Sequence, residues 1–112
     1  MNSISDGIRI MFPFLDENEI KLLLSISAIK NIDSNVILVR QGTINSNVHL
    51  VLSGLLRSYV VTSSGNDRTV LISKEKMRTV SFNSFLKNEP SEINIESIEP
   101  SIILIIKSQK KT

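Results

Sequence analysis

The sequence predicts a mainly β domain, a compact sandwich or roll, behind a short helical N-terminal segment. Ile, Leu and Val supply most of an apolar content of 41%, with no Trp, one Tyr and four Phe. Such a β-branched bias favours strands. From Ile29 onward the apolar residues fall in short runs. Turn-type clusters separate them about every ten residues, the spacing of an all-β sandwich or barrel.

The elements follow in order. Ile4, Ile8, Met11 and Phe12 lie at helical spacing between Ser3 and Phe12, and Pro13 discourages continuation. Asp16 and Glu19 form a capping-box pair for a second helix that carries Ile20, Leu23, Leu24 and Ser27 on one face. Six strands are readable: Val36–Arg40, Val48–Leu52, Leu55–Thr62, Thr69–Ser73, Ile93–Ser97 and Ile102–Lys107, with a seventh around Ile29–Ile32. Asp33-Ser34-Asn35, Gln41-Gly42, Ser53-Gly54, Ser63-Ser64-Gly65-Asn66 and Glu99-Pro100 supply the turns. Between Met77 and Pro90 the alternation fails, and Phe82 to Leu86 reads as one short helical turn capped by Ser81.

A chain of 112 residues fits one domain with one core. Its patterning divides it into a helical segment over 1–27, a roll over 28–107 and a frayed tail over 108–112. Thirteen Lys and Arg against eleven Asp and Glu leave a net charge of +2, too small to predict nucleic-acid binding. The absence of cysteine excludes disulfides, thiol catalysis and Cys-ligated metal or iron–sulfur clusters. No secretory signal pattern and no apolar run of membrane-spanning length occurs, so the expected compartment is the cytoplasm, without membrane contact.

Val39-Arg40-Gln41-Gly42, then Leu52-Ser53-Gly54-Leu55-Leu56-Arg57, then Ser84-Phe85-Leu86 with Pro90-Ser91 occur in that order behind the two helices. The set, from about Phe12 to Lys107, resembles the effector domain of the Crp/Fnr family of transcription regulators. The resemblance implies a cyclic-nucleotide-binding-like β-roll, a double-stranded β-helix or jelly roll. Family members that bind cyclic nucleotide carry a Gly-Glu pair for the ribose and, several residues later, an Arg for the phosphate. Those positions fall here on Ser81, Phe82 and Ser91, so the resemblance implies a degenerate phosphate-binding insert and no useful binding of cyclic AMP.

Two readings of the insert stay open. Ser81, Phe82, Asn83, Ser84 and Ser91, with Arg57, form a candidate ligand cavity whose hydroxyls and amide lie near a helix start, where anions are favoured. Alternatively the same groups serve only as caps and turns. Arg57 matches a recurrent family position and can point into the roll, where it needs a carboxylate partner, and structural pairing is expected ahead of ligand contact. His49, the one histidine, cannot form a multi-His metal site and is expected as a partly exposed strand residue opposite Leu50 and Leu52. Arg68, Lys74, Lys76 and Arg78 read as a solvated face.

No acid/base carboxylate pair, nucleophile elbow or phosphate loop is present. The chain is expected to be neither an enzyme nor a cofactor or metal carrier. The expected function is the sensory domain of a Crp/Fnr-like regulator, cut off before the dimer helix and the helix-turn-helix, and therefore without direct DNA binding. Its expected partners are an unidentified small-molecule effector and, where a full-length protein carries the dimer helix, a second copy or a related regulator. The alternative is a stand-alone protein-interaction module.

Overall fold

The computed structural model describes residues 8–10, which are helical, and residues 12–107. The rest of the expected first helix and the tail over 108–112 lie outside the described residues. Helix α1 (Glu17–Ser25) begins at the expected cap. Asp16 Oδ1 accepts from the Glu19 N–H at 2.8 Å, and Glu19 Oε1 accepts from the Asp16 N–H at 2.9 Å. This reciprocal pair satisfies donors that a helix start leaves unpaired. Ser27 does not extend the helix: its hydroxyl donates to the carbonyls of Leu23 and Leu24, at 2.8 and 3.2 Å, and strand β1 (Ser27–Ile32) starts there.

Two four-stranded antiparallel sheets follow. The first has the order β1-β8-β3-β6, with β3 at Val48–Ser53, β6 at Arg78–Thr79 and β8 at Ser101–Ile106. The second has the order β2-β7-β4-β5, with β2 at Ile37–Val39, β4 at Leu55–Val61, β5 at Asp67–Lys74 and β7 at Asn94–Ser97. All the strands read from the sequence are present, with ends displaced by a residue or two. Strand β6 is the addition. Its two residues pair with His49 and Leu50 inside the segment where alternation fails, and two residues are too few to show a period.

The side-chain period of two assigns each strand face. Val39, Leu56 and Ile95 from the second sheet meet Val51 and Ile103 from the first, and these five buried residues form the roll interior. Leu50 and Leu104 face the other way, where Ile8 and Ile20 of the helical layer cover them together with Leu23, Leu24 and Phe12. Strand β8 therefore packs on both faces through Ile103 and Leu104, which is why an apolar run replaces alternation there, although Ile102 at its start is 38% exposed.

Gly54 reverses the chain between β3 and β4 at φ +105°. A Cβ there would fall 2.1 Å from Ser101 Oγ and 2.7 Å from Ser101 Cα. Ser101 Oγ in turn accepts from the Leu55 N–H at 3.1 Å, so the close approach secures the hairpin to β8.

Candidate functional site in and beside the insert

Ser81 caps helix α2 (Phe82–Lys87), accepting from the Ser84 N–H at 3.4 Å, and Asn88 closes the helix in the left-handed region at φ +57°. The Ser81 hydroxyl donates to Glu92 Oε1 at 2.7 Å, and the Asn83 N–H donates to Glu92 Oε2 at 3.3 Å. A side chain eleven residues away in sequence thus lays its carboxylate across the helix start. Burial works against that charge, but the bonds from Ser81 and from the backbone of Glu92, Asn83 and Phe82 prevail and hold the carboxyl below its ordinary range.

Two other expected site residues, Ser84 and Ser91, are engaged too. Ser84 Oγ donates to the Glu89 carbonyl at 2.7 Å and accepts from the Asn45 N–H at 3.1 Å. Ser91 Oγ donates to the Ile93 carbonyl at 2.7 Å and accepts from the Ile93 N–H at 3.2 Å. Ser81, Ser84 and Ser91 are all buried, whereas Phe82 is 64% exposed.

Arg57 has the expected carboxylate pairing but does not enter the roll. Its neighbours Leu56 and Ser58 are buried, and alternation turns Arg57 to the opposite face of the second sheet. There it donates from Nε to Glu96 Oε1, and from Nη1 and Nη2 to the two carboxylate oxygens of Asp67, each at 2.7 Å. Its guanidinium lies 4.0 Å from the Tyr59 ring centroid. None of these partners belongs to the insert.

His49 is also corrected. It does lie opposite Leu50, but it is buried, not partly exposed. The helical layer covers the Leu50 face, which makes the His49 face the roll interior. Burial, opposed by a hydrogen bond to the Thr79 backbone, lowers its pKa from 6.5 to about 4. Its Nδ1, like Ser73 Oγ, has no hydrogen-bond partner among the described residues. Nearby, Ser58 Oγ and Thr79 Oγ1 lie 3.3 Å apart, so small polar groups line this part of the interior.

At the open edge of the roll, β5 of one sheet faces β6 of the other across a cavity of about 300 Å³. Leu71 of β5, Val48 of β3, Arg78 and Thr79 of β6, Val80, and Phe82 and Phe85 of α2 line it. Of these lining residues only Phe82 is among the ligand candidates read from the sequence, and Glu92 is not among those candidates. The preference of helix starts for carboxylates is a signal for Glu92, but periodicity does not say which acidic residue reaches the helix.

The sequence matches no protein-family model and no curated protein. Solved structures do match. The sensor domain of the transcriptional regulator DNR from Pseudomonas aeruginosa superposes with a TM-score of 0.82 at 18% identity, over 92% of this chain and 70% of that one. The catabolite activator protein of Thermus thermophilus gives 0.74 at 21% identity, over 87% of this chain and 45% of that one. A mutant regulatory subunit of a cAMP-independent protein kinase A from Trypanosoma brucei, bound to cAMP, gives 0.75 at 14% identity, over 87% of this chain and 35% of that one. The fold is the cyclic-nucleotide-binding β-roll. The chain spans less than half the length of the activator and of the kinase subunit. In this β-roll the insert between β6 and β7 carries an internal carboxylate at the start of its helix.

Proposed function

We propose that the chain is the sensory domain of a Crp/Fnr-like transcription regulator, non-catalytic and cytoplasmic, whose effector is not a cyclic nucleotide. The observation that carries this reading is the pair Ser91 and Glu92. Ser91 stands where the family resemblance expects the phosphate-binding arginine. Loss of a charge-assisted contact of that kind removes about 1.5–3 kcal/mol. The carboxylate of Glu92, bonded to Ser81 and Asn83, adds repulsion toward a phosphate at the same helix start. The T. brucei subunit, which has this fold, belongs to a cAMP-independent protein kinase A, and its cAMP-bound form is a triple mutant.

Calorimetry of the chain with cyclic AMP and with cyclic GMP tests the reading. No saturable heat is expected. Stoichiometric micromolar binding of either nucleotide overturns it. The regulatory part is tested by reading the coding sequence beyond the Thr112 codon in all frames. A heptad-patterned helix followed by a helix-turn-helix supports a sensory domain severed from its DNA reader.

A second reading, a stand-alone interaction module, draws on the exposed apolar side chains of Phe82 and Leu86 on α2, 64% and 65% accessible. Capture of a related full-length regulator by the purified chain favours it. Under either reading, random duplex DNA is not shifted at low salt, because a net charge of +2 supplies little phosphate attraction.

A further inference from the structure

We infer that the cavity between β5, β6 and α2 binds an uncharged, mainly apolar small molecule, with Glu92 setting the preference against anions. This inference rests on the reading of the chain as a ligand-responsive domain and names the chemical class of the ligand.

The walls set the chemistry. Val48, Leu71, Val80, Phe82 and Phe85 present hydrocarbon and aromatic surface, and at about 300 Å³ the space is at the small end of ligand pockets. Leu71 and Phe82 are 45% and 64% exposed, so an apolar occupant removes their surface from water. The polar contact on offer is a hydroxyl, Thr79, backed by Ser58 at 3.3 Å. Neutral hydroxyls orient a ligand without demanding a charge.

The charged groups at and beside the cavity each have a contact outside it. Arg78 lines it, but its guanidinium lies 5.3 Å from the Phe12 ring centroid, a cation–π contact that holds the charge toward the helical layer. On the insert side, the residue next to Phe82 is Ser81, whose hydroxyl is bonded to the Glu92 carboxylate. An anionic ligand therefore meets a fixed negative charge beside Phe82 and a cation directed elsewhere.

Two dyes that share one aromatic skeleton separate the possibilities. N-phenyl-1-naphthylamine is uncharged, and 8-anilinonaphthalene-1-sulfonate adds a sulfonate. The uncharged dye is expected to brighten and saturate at one molecule per chain, and the sulfonate to bind weaker by roughly tenfold or more. Leu71→Asp and Leu71→Trp, one charging the wall and the other filling the space, each weaken the uncharged dye by roughly tenfold or more, while Phe14→Asp, on an exposed residue outside the cavity lining, leaves it unchanged. Cooperative urea unfolding verifies that each variant is folded.

Equal or tighter binding of the sulfonate overturns the preference for uncharged ligands. Failure of the uncharged dye to saturate, or its full retention by a folded Leu71 variant, overturns the cavity. These results are separable from the functional reading: cyclic-nucleotide binding in the calorimeter removes that reading even where the dye binds, and a negative dye result with no nucleotide binding removes only the cavity.

Discussion

Glu92 caps the insert helix from outside it, its carboxylate taking the Ser81 hydroxyl at 2.7 Å and the Asn83 N–H at 3.3 Å. Charge-assisted bonds of this kind contribute about 1.5–3 kcal/mol. Glu92→Ala is expected to lower unfolding stability by about 1–3 kcal/mol in urea titrations, and Glu92→Gln, which keeps an acceptor oxygen, by less. Equal stability of Glu92→Ala and the wild type refutes the capping role. Because the folded carboxyl titrates below the unfolded one, its stabilisation is complete above the ordinary carboxyl range and is lost as pH falls through the folded pKa.

His49 gives a second and separate acid dependence. The folded imidazole titrates near 4 and the ordinary one at 6.5, so the unfolded chain takes up this proton first as pH falls. The contribution of His49 is thus complete above pH 6.5 and declines until about pH 4, with a loss of the order of 3 kcal/mol. Stability measured at several pH values in this window should slope downward toward acid. The slope should largely disappear in His49→Leu, and persistence of the full slope in that variant assigns the proton elsewhere.

Gly54 and Gly42 both adopt positive φ, +105° and +89°, but in different surroundings. A Cβ at Gly42 meets nothing within 4 Å, whereas one at Gly54 collides with the backbone of Ser101. Gly42→Ala is expected to cost about 1–2 kcal/mol, from the left-handed conformation alone. Gly54→Ala adds displacement of β8 and should exceed 3 kcal/mol, about the upper tail of single substitutions. Similar melting temperatures for the two variants contradict the close approach.

Arg57 joins Glu96 and Asp67 across strands β4, β7 and β5. The Glu96 side chain is only 14% exposed, so Arg57→Ala leaves a largely buried carboxylate without its cation and should destabilise by about 2 kcal/mol. Arg57→Lys should recover only part of this, since an ammonium cannot hold both Asp67 oxygens and Glu96 with one planar fork. Asp67→Asn should matter least, because the Asp67 side chain is 45% exposed. Urea unfolding that ranks the three variants otherwise refutes the assignment of Glu96 as the demanding partner.

The legible part of the fold was local. The capping box of Asp16 and Glu19, the Ser81 cap, the turns and the strand runs each declare themselves over a few residues, where spacing and capping chemistry suffice. Strand β6 is not legible because two residues have no period, and Ser27 reads as helical because its spacing is the same whether its hydroxyl closes the helix or its backbone extends it.

The sequence sets the succession of elements other than β6 and the alternation that places His49 opposite Leu50. Tertiary structure decided which of those two faces is the interior, because the helical layer over Leu50 and Leu104 seals one face and leaves His49 to the roll. It also decided that Arg57 answers Glu96, 39 residues away, and that Glu92 takes the start of the insert helix. Charge pairs between distant strands follow from how the chain closes on itself, and side-chain periodicity carries no record of that closure.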